Sequence, residues 1–241
     1  MTAQPTAPRG FRQARCHGCG LTATLCLCGA WPVLSAACGV SIVMPECEAR
    51  AASNSARLAQ LWLARAECHV RGAAGLRDPT ELLARPGTAI LFPGAGLPAP
   101  ELREVRHLIV PDGTWSQALR IERRWFAQAG LAHLVLDPSW PSAYGLRRSR
   151  TALPGPDAPA PRSQLCTFEA VAIALGVLGE PGLGCTLLAR FAEWARRARW
   201  LKSGGPVPGA AREPPPSELP AHPAAQRLTA TALPASSLPA T

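Results

Sequence analysis

Arg106-His-Leu-Ile-Val-Pro-Asp-Gly-Thr-Trp115 lies near the middle of the 241-residue chain. Arg106–Val110 is apolar and β-branched, which predicts a buried strand. Pro111-Asp112-Gly113 ends it with turn chemistry. Asp112 and Thr114 both suit a helix start, and Thr114–Ala127 carries Trp115, Leu119 and Trp125 as its apolar residues. The stretch therefore reads as strand, tight corner, helix. A carboxylate at such a corner either caps the helix or faces a ligand, and the local chemistry alone leaves both open.

The same alternation extends in both directions. Gly39–Met44, Gly87–Phe92 and Ala132–Leu136 read as further strands, the second ended by Pro93-Gly94. Residues 52–66, 164–178 and 185–202 read as helices. Strands alternating with helices predict an α/β fold, a largely parallel sheet with flanking helices. Ligands bind such sheets beyond the carboxyl ends of the strands, so the loops after Phe92, Val110 and Leu136 carry the interest. Gly94-Ala-Gly96-Leu-Pro-Ala99 formally resembles a dinucleotide fingerprint. Pro98 and Pro100 break the helix that the fingerprint requires, so this reading is rejected.

Four of the nine cysteines fall within thirteen residues: Cys16, Cys19, Cys26 and Cys28. Two close pairs of thiolates, with Gly18 and Gly20 permitting a tight backbone, predict a closed structural zinc site in a small module over residues 16–38. Spacing alone leaves an iron–sulfur cluster open. An odd cysteine count, a clustered quartet and no apolar leader fit a reducing cytoplasm.

Residues 1–15 are polar and basic, and are expected to form a flexible arm. The body is placed at 39–202. The tail, 203–241, is rich in Pro and Ala and lacks apolar periodicity, which predicts disorder. It holds Arg212, Arg227, Glu213 and Glu218, so the net charge of +9 belongs to the rest of the chain. That charge fits either nucleic acid or a surface tuned for solubility. No apolar run approaches the length of a membrane span, so a membrane partner is not expected.

Asp112-Gly-Thr-Trp115 resembles the signature of the DTW-domain family, the tRNA-uridine aminocarboxypropyltransferases. Other blocks agree in order: Pro45 with Arg50 and Asn54-Ser-Ala-Arg57-Leu58; Ile90-Leu-Phe-Pro93; Ser142-Ala-Tyr144-Gly-Leu146-Arg147; and Cys166-Thr167-Phe-Glu169-Ala170. Cys47 stands where the family has an acid, Ser55 where it has Thr, and Phe92 where it has Tyr.

The resemblance implies a SPOUT-like body with a knotted C-terminal part. It also implies S-adenosylmethionine as co-substrate and tRNA as partner. The implied reaction moves the 3-amino-3-carboxypropyl group to N3 of a uridine and releases methylthioadenosine. On this reading Asp112 is the general base. Phe92, Pro93, Asp112, Thr114, Trp115, Tyr144, Leu146, Arg147, Thr167 and Glu169 are expected at the co-substrate. Arg50, Arg57, Arg148 and Arg150 are expected at the RNA. The rival readings are a related enzyme acting on ribosomal RNA or transferring methyl, and a zinc-containing RNA-binding protein without catalysis.

Overall fold

A computed structural model of the chain describes residues 14–51, 53–71, 79–93, 96, 99–144, 165–203 and 218–231. Five strands form one sheet: β1 (Gly39–Pro45), β2 (Ala66–Arg71), β3 (Thr88–Leu91), β4 (His107–Pro111) and β5 (His133–Leu134). Their order is β2-β1-β4-β3-β5, and every pair is parallel. The helices are α1 (Glu46–Ala49), α2 (Arg57–Trp62), α3 (Ala99–Leu102), α4 (Trp115–Ile121), α5 (Thr167–Val177), α6 (Pro181–Ser203) and α7 (Ala225–Thr231).

The sheet is buried on both faces, as an all-parallel sheet must be. On one face Val40, Ile42 and Met44 of β1 join Leu108 and Val110 of β4, under Leu58 and Trp62 of α2 and Phe168 and Val171 of α5. On the other face Val43, Ile90 and Ile109 meet Ala118 and Ile121 of α4 and Phe126 just beyond it. The strand leaving β1 therefore feeds a helix on the first face, while neighbouring β4 feeds a helix on the second. A crevice opens where adjacent strands send their helices to opposite sides. Here it lies between the carboxyl ends of β1 and β4, and the backbone N–H of Asp112 donates to the carbonyl of Val43 across its floor at 2.8 Å.

Several expectations need correction. The helix predicted over 52–66 is confined to Arg57–Trp62, and Ala66–Arg71 is an edge strand. Val70 is its single β-branched residue, and its side chains are only half-buried, so the sequence gives weak β character. One helical turn does form at Ala99–Leu102, with Pro100 in its first turn, where a missing N–H costs nothing. The helix from Thr114 changes at Glu122–Phe126 into a π turn.

The cysteine module is not a separate unit. Cys19, Leu21, Leu25 and Leu27 belong to the main core. Three side chains of α6 hold it: Trp194 Nε1 donates to the Cys19 carbonyl (2.8 Å), Arg197 Nη1 to Leu25 (3.1 Å) and Arg190 Nη1 to Pro32 (2.8 Å). Nor is the whole tail without packing. His222, Ala224 and Leu228 are buried, and α7 lies on α5 and α6. Leu228 fills a notch in which a Cβ on Gly176 or Gly184 would stand 2.6 Å from its methyls. Two buried apolar side chains and the His222–Glu169 hydrogen bond suffice for docking where periodicity is absent.

The knot implied by the resemblance turns on the chain path between β5 and α5, most of which (145–164) lies outside the described residues. The arm expected over 1–15 lies outside them up to residue 13. Among the described residues, no helix is long and apolar enough to cross a membrane.

Candidate functional site

Two cavities adjoin beyond the carboxyl ends of the strands, one beside β3, β4 and β5 and the other at the β1/β4 crevice. The first, about 260 Å³, is mainly apolar, with Leu91, Phe92, Pro93, Trp115, Leu134 and Leu136 among its walls. The second is polar and includes Glu48, Ser53, Asn54, Asp112, Thr114 and Tyr144. Gly113 and Thr167 line both. Gly113 has a φ of 136°, and a Cβ there would meet Gln117 Oε1 at 2.9 Å, so the seam admits no side chain at that position.

Asp112 is 5% exposed and stands on the polar side. Its Oδ2 accepts from Asn54 Nδ2 at 2.9 Å, and its Oδ1 accepts from the Thr167 hydroxyl in a short hydrogen bond. Each oxygen keeps a further acceptor site, since a carboxylate can accept about four hydrogen bonds. Asp112 does not cap α4. Thr114 does so, in a capping box: its backbone N–H donates to Gln117 Oε1 at 2.7 Å, and its hydroxyl accepts from the Gln117 N–H at 3.4 Å. The two readings of the corner are thereby resolved, and the carboxylate is left to the cavity.

Trp115 is 41% exposed and stacks on Phe92, with ring centroids 5.3 Å apart and planes 18° from parallel. This pair forms a flat aromatic wall to the apolar cavity rather than a core contact. Tyr144 stands on the polar side. Its hydroxyl donates to the Ser53 carbonyl at 2.7 Å, and its ring stacks against Trp194. Thr167 begins α5, so the amino end of that helix faces both cavities.

Glu169 has a different place from the one expected. Its side chain is fully buried, and four donors saturate the carboxylate: Ser142 Oγ (2.7 Å), Ala143 N–H (2.7 Å), Cys166 N–H (2.9 Å) and His222 Nε2 (2.9 Å). Burial raises its pKa, but these hydrogen bonds outweigh burial and hold it below the ordinary value. Glu169 anchors the Ser142–Tyr144 segment and does not reach a co-substrate. Arg57 is likewise engaged, with Nη2 donating to the carbonyls of Ala49 (3.1 Å) and Ala51 (2.8 Å). Arg50 is exposed and pairs with Glu46 along the same turn. Leu146, Arg147, Arg148 and Arg150 lie outside the described residues.

Sequence reasoning passed over Asn54 as a site residue, though it orients Asp112, and over His222. Asn54 stood inside a block already singled out. The buried role of Glu169 had a signal too: Cys166-Thr-Phe-Glu169 has the spacing of a capping box, with Cys in place of Ser.

The four cysteine sulfurs lie within 4.8 Å of one another. Cys16 and Cys28 are 3.4 Å apart, and Cys19 and Cys26 are 3.7 Å apart. Tetrahedral thiolates at a zinc bond length of about 2.3 Å stand about 3.8 Å apart, so the quartet fits such an ion. Gly18 belongs to the cradle, because a Cβ there would lie 2.7 Å from the Cys28 sulfur. Burial raises the Cys16 thiol, but hydrogen bonds from the backbone at Cys19 and Gly18 and from neighbouring thiols outweigh it and lower it to about 7. Burial pushes the thiols of Cys19 and Cys28 up. The quartet could hold a metal ion.

Among solved structures, the chain is similar to the SAM-dependent rRNA:acp-transferase Tsr3 from Vulcanisaeta distributa, with 16% identity and a TM-score of 0.40 over 69% of this chain and 82% of that one. The family model described as the DTW domain matches residues 13–198, and the chain belongs to the DTW-domain family.

Proposed function

We propose that the protein transfers the 3-amino-3-carboxypropyl group of S-adenosylmethionine to N3 of a uridine in tRNA, releasing methylthioadenosine. One observation carries the reading: a buried carboxylate, Asp112, oriented by Asn54 and Thr167, stands where an apolar cavity meets a polar one. Membership of the DTW-domain family supports it. The apolar cavity suits the thioether and adenosyl part of the co-substrate, with Trp115 and Phe92 as an aromatic wall. The polar cavity suits the amino acid end and the edge of a nucleobase.

When bound, S-adenosylmethionine supplies a sulfonium that activates its adjacent carbons. The protein must select which carbon meets N3, which is a matter of orientation. Gly113 and Thr167 line both cavities and fix the passage between them. The new bond joins N3 to the terminal carbon of the aminocarboxypropyl group. The carbon–sulfur bond breaks, and its electron pair stays on sulfur. The N3 proton goes to Asp112, whose two donors, Asn54 and Thr167, prevent the carboxylate from rotating away. The Tyr144 hydroxyl is committed to Ser53, so Tyr144 acts as a wall of the polar cavity and not as a proton carrier.

The cysteine quartet is assigned a structural zinc ion, with all four positions filled by protein and none left for chemistry. Its thiolates suit the reducing cytoplasm. The reading is tested by incubating purified protein with S-adenosylmethionine and unmodified tRNA, then digesting the RNA and weighing its nucleosides. A uridine heavier by one aminocarboxypropyl group is expected. A gain of methyl, or no gain, would overturn the reading.

A further inference from the structure

Among the described residues, most arginines have partners. Arg50 pairs with Glu46, Arg85 with Glu67, Arg196 and Arg197 with Glu193, and Arg227 with Asp137. Others donate to backbone carbonyls, among them Arg57, Arg65, Arg190 and Arg199. Besides Arg103, one group departs from this pattern. Arg71 ends β2, Arg120 lies on α4, and Arg123 and Arg124 lie on the π turn that follows. None of the four forms an ion pair among the described residues.

Arg71 lies near Arg120 and Arg124, and Arg123 precedes Arg124 on the π turn. The Arg71 guanidinium sits 4.8 Å from the centre of the Trp125 ring. Its pKa is lowered, first by burial and then by the charges of Arg124 and Arg120. Arg120, Arg123 and Arg124 are exposed. A π turn is a rare departure from the α-helix and is often kept at functional sites. Here it carries two of the arginines and the tryptophan beneath the first. A cluster of like charges without counter-charge is unfavourable by itself and suits a polyanion.

Arg71 stands at the working end of the sheet, and the other three arginines lie along the helix that leaves the Asp112 corner. Arg71 is registered against Pro45 of β1, and Val43 of β1 against Pro111 of β4, next to Asp112. Arg71 is thus two strands from the Asp112 column, about 10 Å by strand spacing. Arg120 lies six residues along from Thr114, about 9 Å of helix from the same corner.

We propose that Arg71, Arg120, Arg123 and Arg124 form the docking surface for the phosphodiester backbone of the RNA whose base enters the Asp112 cavity. Planar guanidinium forks match phosphate oxygens two at a time. Trp125 holds Arg71 in place as a rigid member of the set. The surface lies on the face of the sheet covered by α4, opposite the cysteine module and α2. This inference rests on the RNA substrate proposed above.

The test compares full-length protein with a variant carrying Arg120→Gln, Arg123→Gln and Arg124→Gln, using unfractionated tRNA over a salt series. Each phosphate contact contributes about 0.7–0.9 to the slope of log affinity against log salt, so the slope should fall by about two to three. Affinity at low salt should drop at least tenfold. The KM for tRNA should rise with kcat retained, and methylthioadenosine should bind as before. Arg103→Gln, an exposed position ahead of the amino end of β4, should change the slope by less than about one. If wild type binds tRNA with a steep salt dependence and the triple variant matches it, the docking surface is wrong and the RNA reading stands. A fall in kcat at constant KM would also overturn the surface, by placing these residues at the reaction. No affinity of wild type for tRNA would overturn both readings.

Discussion

His222 Nε2 donates to Glu169 Oε1 across 2.9 Å, with both side chains fully buried. The Nδ1 atom accepts from the Ala224 N–H at 3.0 Å, which places the ring proton on Nε2. The pair joins the C-terminal segment to the first turn of α5. Through Glu169 it also holds Ser142 and Ala143, two and one residues before Tyr144 in the polar cavity wall. A segment that composition marks as irregular thus supports the site from behind.

Replacing His222 by Ala should remove one of four donors to a buried carboxylate. A hydrogen bond to a charged group contributes about 1.5–3 kcal/mol, and Tm should fall accordingly in thermal denaturation. His222→Gln, which retains an N–H donor, should recover part of that loss. The pair also predicts acid sensitivity. Burial raises the Glu169 pKa, but its hydrogen bonds hold it below 4.5 in the folded state. The stabilisation is therefore present above that value and is lost as pH falls through the depressed one. Urea unfolding from pH 7 to pH 3 should show a shallower acid decline in Glu169→Gln than in wild type.

Leu228→Ala should undock α7, because Leu228 fills the notch over Gly176 and Gly184. Emptying a buried leucine site costs about 2–5 kcal/mol. Hydrogen exchange should then quicken in residues 218–231 before it does so in the sheet. Slow exchange there in Leu228→Ala would show that the segment is held by other contacts.

The cysteine quartet should carry one zinc per chain by elemental analysis of protein purified under reducing conditions. Cys19→Ser should release it. Since Cys19 and the leucines after it belong to the main core, the loss should lower the Tm of the whole protein and not loosen a separate module. Chelation of wild type should do the same.

The contrast between β4 and β2 shows what the sequence made legible. His107–Pro111 is buried throughout, and its apolar run Leu108-Ile-Val110 is bounded by a turn, so its place and the Asp112 corner could be read directly. Ala66–Arg71 lies at the sheet edge with half-exposed side chains, and its pairing with β1 is set by tertiary register. The quartet could be identified from spacing, but its union with the core rests on Leu21, Leu25 and Leu27 meeting α6, which no local pattern reveals. The family resemblance places Glu169 at the co-substrate. Its burial depends on His222, 53 residues away.

Trp115→Ala should weaken binding of methylthioadenosine with little effect on stability. Trp115 is 41% exposed, and its stack on Phe92 forms a cavity wall. An aromatic contact of this kind contributes about 0.5–1.5 kcal/mol, so affinity measured by calorimetry should fall roughly two- to tenfold. A collapse of Tm would place Trp115 in the core instead.

Asp112→Asn tests the proposed base. The replacement should be accommodated without strain. Its carbonyl oxygen can accept from Asn54 Nδ2 as Oδ2 does now, and its amide can donate to Thr167 Oγ1 once that hydroxyl turns round. The backbone bond from residue 112 to Val43 is unaffected, and Thr114 still caps α4. Fold, tRNA affinity and methylthioadenosine affinity should therefore persist. What is lost is the site that takes the N3 proton, and general-base assistance is worth about 10²–10⁴-fold in rate. Single-turnover transfer should slow by that factor at neutral pH. Raising the pH should recover part of the rate, because uridine then loses its N3 proton to solvent. Transfer at the wild-type rate would make Asp112 structural. Loss of S-adenosylmethionine binding in calorimetry, alongside loss of transfer, would make Asp112 a ligand of the co-substrate and send the search for the base elsewhere in the polar cavity, to Glu48 first.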